Sequence, residues 1–307
     1  MKTVKEIQKI LSKFTHIDSH VHTCLCDGQK EMTVDNIARC AAEKGLECIV
    51  LTPHFHKRVS DTSATLYEDS DENIFLTLRE QIDSYERRDG GVKFLLSAEA
   101  DILSLDGDIS LDISAKAENS LDFVSPTLNY HPLLPLDFVK LTYGRCVNGL
   151  HESGEYLRTA EACGGIEYIL ETVYRTQVNA IQKCSYPAML GHFFMPHSIH
   201  PDTYSCFGAR QEHLNLMKEG AKSVIHACRE NNVMMDLTGV HLHPTESVSH
   251  RIELNGFLAD FQRFVISECL AKHVPFYYGS DAHSLSALGG SHGYYESIIH
   301  SVSNGQV

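Results

Sequence analysis

The sequence predicts an α/β fold built on parallel strands, and three observations predict it. Short apolar, β-branched runs recur seven times, at 14–23, 47–54, 92–101, 121–127, 186–194, 232–239 and 274–283. Amphipathic stretches with helical spacing lie between them, at 33–44, 73–86, 213–231 and 254–272. Such βα alternation marks a parallel sheet. Polar residues of metal-ligand type collect at the C-terminal ends of the runs, where barrel enzymes carry their catalytic groups. Periodicity alone fits either an open doubly wound sheet or a closed barrel. The strand-end chemistry points to the rim of a TIM-like (β/α) barrel.

The elements follow in order. Val4, Ile7, Ile10, Leu11 and Phe14 fall at helical spacing, so 1–14 is read as an N-terminal helix packed on the domain. Thr33 before Val34 and Asp35 supplies an N-cap and an acidic first turn, and Gly45 a C-terminal stop. The stretch 131–158 has no strand pattern and contains Pro132, Pro135, Gly144, Gly149 and Gly154. It reads as a long loop before a helix at 155–183, and loops of that length often cover a binding site. Two more loops are read at 197–210 and 238–250, and both 131–158 and 238–250 are placed near the site. No repeat, low-complexity tract or linker interrupts the chain, so 1–307 is read as a single domain.

Composition narrows the function. With 307 residues, 43% hydrophobic, the chain can bury a sizeable core. No apolar run approaches the roughly 18 residues of a membrane span, and the charged start lacks the apolar stretch of a secretory signal. A net charge of −14 argues against nucleic acid as partner. Ten cysteines without a CxxC pair read as reduced thiols, so a cytoplasmic location is expected. Histidine is abundant, 19 against 26 Lys and Arg together, and it is the commonest metal ligand.

Position decides whether those histidines act. The first run ends His16-Ile17-Asp18-Ser19-His20-Val21-His22-Thr23, followed by Asp27-Gly28. Strand period two puts Asp18, His20 and His22 on one face. The second run ends at His54, the third at Glu99-Ala100-Asp101, the fifth at Gly191-His192 and the seventh at Asp281-Ala282-His283, while the fourth leads to His131. Any one of these has a plain structural reading: His192 as a core histidine, Asp281-Ala282-His283 as a turn. The plain reading must be invoked afresh at each strand end. A His-rich set with carboxylates suits Zn, Mn or Fe, and a shared carboxylate such as Glu99 can bridge two ions.

These motifs resemble the polymerase and histidinol phosphatase (PHP) superfamily of metal-dependent phosphoesterases. The resemblance runs from about Thr15 to Ala287, through the HxHT opening with its following Asp-Gly, the strand-end Thr52-Pro53-His54, Ala98-Glu99-Ala100-Asp101, Leu190-Gly191-His192 and Ser280-Asp281-Ala282-His283. It implies a distorted seven-stranded (β/α) barrel with two or three divalent transition metals. In that arrangement His20, His22, Glu99 and Asp281 hold the first metal. Glu99 bridges to a second, held also by His131 and His192, and Asp27, His54 and His283 hold the third. Asp18 is expected to orient one of the histidines from behind. The family's usual Thr-Asp-His is Thr52-Pro53-His54 here, and its fourth-strand Ser-x-His is replaced around Asn129-Tyr130-His131. Cys26 stands where the family has Ser, a near-isosteric exchange. Stand-alone histidinol-phosphate phosphatases are similar in length, and Met234-Met235-Asp236-Leu237-Thr238-Gly239 resembles their substrate-side strand.

The activity implied is hydrolysis of a small phosphorylated metabolite, with histidinol phosphate leading, by a metal-bound hydroxide. Arg145, Arg158 and Arg175 are candidate phosphate clamps. His241 and His243 are candidates for substrate contact or for protonating the leaving group. Two rival readings are an amidohydrolase acting on C–N bonds and a non-catalytic metal-stabilised binding module. The first is weakened because no strand end offers a Lys at a ligand position. Oligomeric state is not legible in the sequence.

Overall fold

A computed structural model of the chain describes residues 1–55, 70–88, 90–128, 161–162, 164–193, 211–238, 251–290 and 292–303. In these, helices and strands alternate as α1 (Val4–Leu11), β1 (Ile17–Val21), α2 (Val34–Glu43), β2 (Cys48–Leu51), β3 (His54–Phe55), α3 (Asn73–Arg88), β4 (Lys93–Asp101), α4 (Ala115–Ser120) and β5 (Phe123–Thr127). There follow α5 (Ile166–Lys183), β6 (Met189–Leu190), α6 (Gln211–Asn231), β7 (Met234–Asp236), α7 (Arg251–Lys272), β8 (Phe276–Tyr277) and α8 (His292–Ser303). Each of the seven predicted runs carries a strand, and the second carries two. Thr52-Pro53 divides it, because Pro53 has no N–H to give a ladder. Before the break β2 pairs with β4 at Lys93 to Leu96; after it, β3 pairs with β4 through His54 opposite Glu99.

Every ladder is parallel. They form two sheets, β1–β2–β4 with β3 and β5 also on β4, and β6–β7–β8. Single parallel bridges join the sheets: Val124 to Ala188 and Thr127 to Gly191 on one side, Val21 to Ala282 on the other. On that second side Ser19 N–H donates to the Tyr278 carbonyl at 2.8 Å, and Asp281 N–H to that of His20 at 2.9 Å.

Alternation along the strands separates three environments. At the N-terminal strand ends Ile17, Val50, Leu95, Phe123, Met189 and Met234 meet the apolar face of α1, where Ile7 and Leu11 are fully buried. One helix thus covers residues from six strands, and each such large side chain contributes about 1.5–3 kcal/mol on burial. Outward-facing Val21, Ile49, Leu51, Phe94 and Leu96 pack under α2 and α3, and Leu190 and Met235 under α5 to α7. Toward the C-terminal ends the inward positions turn polar: Leu95 gives way to Ser97 and Glu99, Phe123 to Ser125 and Thr127, Met234 to Asp236, all buried. Ser97 and Ser125 hydroxyls bond each other at 2.9 Å. The gradient directs the chemistry to one end.

The opposite end is tied by charge. Thr3 and Glu6 form a capping box at the start of α1. Buried Asp122, at the head of β5, takes hydrogen bonds from Lys2, from Arg79 Nη2 of α3 at 2.7 Å and from Leu96 N–H at 2.8 Å. Burial opposes its charge, but Arg79 and Lys2 hold the carboxyl below its ordinary pKa. Helix α5 starts at Ile166; Gly164 and Gly165, at φ +108° and +92°, separate it from the helical residues 161–162. A right-handed helix cannot run through them.

Candidate metal centre at the strand ends

Five histidines and three carboxylates from five separate parts of the chain converge at the C-terminal strand ends. The first pair depends on an irregularity in β1. Its register shifts between Asp18 and Val21, so Ile17 faces the inner cluster while Val21 faces the outer one. The bulge places His20 and His22 together on the inside and sends Asp18 the other way. Asp18 Oδ1 accepts from Ser280 N–H at 2.8 Å, and Oδ2 from the Ser280 hydroxyl at 2.6 Å and Gly289 N–H at 2.8 Å. It therefore anchors the loop after β8 and orients no imidazole, contrary to the expectation from strict alternation. Burial raises its pKa to about 6.

The carboxylate behind His20 is Asp236, which ends β7. Its Oδ2 lies 2.9 Å from His20 Nδ1, and its Oδ1 accepts from the hydroxyls of Ser19 at 3.1 Å and Thr238 at 2.6 Å. Sequence reasoning read this strand as substrate-side and missed the role. The available signal was a lone carboxylate closing an apolar run, flanked by a hydroxyl residue two positions on.

Glu99 occupies the centre. Its Oε2 is 3.0 Å from His20 Nε2, 3.4 Å from His22 Nε2 and 3.2 Å from His54 Nδ1, while Oε1 is 3.7 Å from His192 Nδ1. Asp281 Oδ1 lies 2.8 Å from His22 Nε2 and 3.8 Å from His192 Nε2. Outside this group Asp27 meets His22 Nδ1 at 3.2 Å, His54 Nε2 at 3.0 Å and His283 Nε2 at 3.1 Å. His283 stacks on His22 with ring centroids 4.0 Å apart. His20, His22, Glu99 and His192 are at most 1% exposed, whereas Asp27 and His283 are 38% exposed at the mouth.

The backbone is held in uncommon conformations to achieve this. His192 and Asp281 both stand in the left-handed region, at φ +50° and +52°. Each costs on the order of 1–3 kcal/mol, which the surrounding packing must offset. Gly279 is required because a Cβ there would lie 2.3 Å from both His20 Cβ and Thr238 Oγ1.

The donor set fits divalent metal. In the neutral ring Asp236 draws the His20 proton to Nδ1, which leaves the Nε2 lone pair 3.0 Å from Glu99 and 3.1 Å from His192 Nε2. Acceptor against acceptor at these distances calls for a positive charge between them. Both His22 ring nitrogens and Asp281 Oδ1 are buried close to partners yet aligned for no hydrogen bond. Three groups of ligand atoms lie within 4.8 Å of one another: His22, Asp27, His54 and His283; His20, His22 and Glu99; His20, His192 and Asp281. Without metal the site resolves its charge by proton uptake. Burial opposes an imidazolium at His20, but Glu99 and Asp236 raise its pKa well above the ordinary value. His22, His54 and His283 are raised in the same way against burial, by Asp27, Asp281 and Glu99. Burial prevails at His192, which is lowered. Glu99 is held far below the usual carboxylate range despite burial, by His54, His192 and His20.

Of the other residues singled out in the sequence, His131, Arg145, Arg158, His241 and His243 lie outside the described residues. Arg175 is exposed on α5, next to buried Val173, Tyr174 and Thr176. Cys26 Sγ accepts from the His54 N–H at 3.3 Å, so it helps to seat that histidine.

No family model matches the chain. It is 24% identical over 282 residues to the histidinol-phosphatase of Bacillus subtilis (strain 168), a match covering 89% of this chain and 95% of that protein. Its fold is similar to that of the histidinol phosphate phosphatase from Lactococcus lactis, solved with zinc, L-histidinol and phosphate. The TM-score is 0.56 at 12% identity, over 94% of this chain and 93% of that one. A Listeria monocytogenes protein assigned as a histidinol phosphatase aligns with a TM-score of 0.59 at 13% identity, over 91% of this chain and 100% of that one. Along most of its length, in sequence and in fold, this chain is similar to histidinol phosphatases, in agreement with the PHP-type resemblance of its motifs.

Proposed function

We propose that this protein is a metal-dependent phosphomonoesterase acting on histidinol phosphate. The observation that carries the reading is the buried convergence of ligand-type atoms from His20, His22, His54, His192, Glu99 and Asp281. Similarity to a histidinol-phosphatase over most of both chains supports the substrate. The zinc, histidinol and phosphate in the Lactococcus structure support the metal and its place in the reaction. Two or three ions of Zn, Mn or Fe suit the three groups of ligands. His20, His22, Glu99 and Asp281 would hold one, His192 with Glu99 and His131 a second, and Asp27, His54 and His283 a third. The two sheets are then two arcs of one distorted barrel, which the bridges on either side support.

Ions bound there supply Lewis acidity toward phosphoryl oxygens and acidify water. The chain's own residues do the rest. Asp236 keeps the His20 proton on Nδ1 and Nε2 free to ligate. Glu99 turns one oxygen to His20, His22 and His54 and the other to His192, so a single carboxylate serves two positions. The apolar layer beneath keeps bulk water from the inner side. Arg145 and Arg158 are assigned to the phosphate, and His241 and His243 to the leaving alkoxide. The small phosphorylated substrate is turned over in the cytoplasm. No described helix is long and apolar enough to cross a membrane.

The test is turnover of histidinol phosphate against a panel of sugar phosphates and nucleotides, with His20→Ala and Asp281→Ala alongside. Preference for histidinol phosphate, abolished in both variants while they stay folded, is expected. Equal turnover of the whole panel would remove the substrate assignment, and undiminished turnover in either variant would remove that residue.

A further inference from the structure

A cavity of about 330 Å³ opens at the far end of the strands, beside α1, where β1 and β8 part. Backbone hydrogen bonds join the two runs from Ser19 upward, to Tyr278, Asp281 and Ala282. Below Ser19 none joins them among the described residues, and the gap is walled instead by side chains. Leu11, Ile17 and Phe276 line its apolar side, and Tyr278, His292 and Glu296 its polar side. The Tyr278 ring stacks on Tyr295, centroids 4.4 Å apart, and its hydroxyl is buried with no hydrogen-bond partner. Burial pushes that hydroxyl's pKa up, so it stays protonated. Glu296 stands half exposed at the rim, 3.4 Å from His292 Nδ1 and 3.5 Å from His16 Nε2. Burial lowers the pKa of His292, which leaves that ring neutral near pH 7 and the glutamate without a full countercharge from it. Among the described residues no Lys or Arg lines the cavity.

We propose that this cavity is a second ligand site, for a small organic cation carrying an apolar ring or chain. The ammonium group would sit against the Glu296 carboxylate at the cavity rim. Its body would lie against Phe276, Leu11 and Ile17, with the aromatic faces adding cation–π attraction. The volume falls within the range of small-molecule pockets. An anionic ligand is disfavoured by Glu296 and by the lack of a lining cation. The site is separate from the metal centre, but the same two strands serve both: Ile17 stands three residues before His20, and Tyr278 three before Asp281.

The probe is phenethylamine, with 2-phenylethanol and 3-phenylpropionate as neutral and anionic controls. Binding to the zinc-loaded full chain is followed by ligand-detected NMR and calorimetry. Saturable binding is expected with Kd of about 1 mM or below, unaffected by saturating inorganic phosphate at the rim. Glu296→Gln should weaken it by about tenfold with phosphatase activity retained, and Ile299→Trp, which fills the cavity, should abolish it. Displacement by phosphate, equal affinity in Glu296→Gln, equal binding of the phenylpropionate, or no saturable binding to the wild-type chain would each overturn the proposal. Should Ile299→Trp fail to fold, Glu296→Gln decides alone, because an exposed carboxylate-to-amide exchange is tolerated in general.

Discussion

Replacing Asp236 by Ala tests the support behind the metal ligands. His20 is fully buried, and its Nδ1 proton is held by Asp236 Oδ2 at 2.9 Å. Without that acceptor a buried N–H loses its partner, a cost of about 1–3 kcal/mol. The bond also sets which ring nitrogen carries the proton, so losing it lets Nε2 become protonated and unable to ligate. Carboxylates in this position are worth about 10–100-fold in metal affinity, which is about 1.4–2.7 kcal/mol. The two routes agree. Zinc affinity by chelator competition should therefore fall by that factor in Asp236→Ala, and by less in Asp236→Asn, whose amide oxygen can still accept from Nδ1. The metal-free Asp236→Ala protein should also melt earlier than wild type. Zinc affinity in Asp236→Ala within about threefold of wild type would refute the reasoning.

Three further outcomes are expected. Gly279→Ala forces a Cβ to 2.3 Å from His20 Cβ, and overpacking of this kind costs about 1–3 kcal/mol or more; an unchanged melting temperature with full zinc content would show that β1 and β8 can give way. Asp122→Asn removes the charge that joins Lys2, Arg79 and β4; because both partners are partly exposed, the loss should be about 1–2 kcal/mol. Since Asp122 is depressed in the folded state, its contribution is present above the unfolded carboxyl pKa near 4 and fades as pH falls through the lower folded value; a wild-type-to-mutant gap unchanged in acid would contradict this. Zinc binding should release protons, because His20, His22, His54 and His283 all have raised values and must be deprotonated to ligate. Calorimetry in buffers of different ionisation enthalpy checks this, and apparent affinity should climb as pH rises; a flat profile would count against these ligands.

Much of the fold and of the site was legible because two periodicities are printed directly in the sequence. Val4, Ile7 and Leu11 repeat at helical spacing and form the apolar face of α1; Thr33 caps α2 as its neighbours imply. Ligand residues at strand ends were visible because parallel strands bring their C-terminal ends together whatever their order. Three features were hidden for physical reasons. A bulge changes which face a side chain takes without changing composition, so Asp18 was grouped with His20 although it points to Ser280. The pairing of Asp236 with His20 spans 216 residues, and no local pattern encodes it. Helix α4 has only six residues, too few for a period to show, and the run 47–54 hides a strand break until Pro53 is placed in its ladder.

The central claim, a multinuclear metal centre that hydrolyses a phosphomonoester, is tested most directly by elemental analysis of the purified protein combined with histidinol phosphate turnover before and after chelation. The account predicts more than one transition metal ion per folded chain, with turnover lost on chelation and restored by zinc or manganese. A folded chain that binds no transition metal, or turnover undiminished when the metal is stripped, would contradict it.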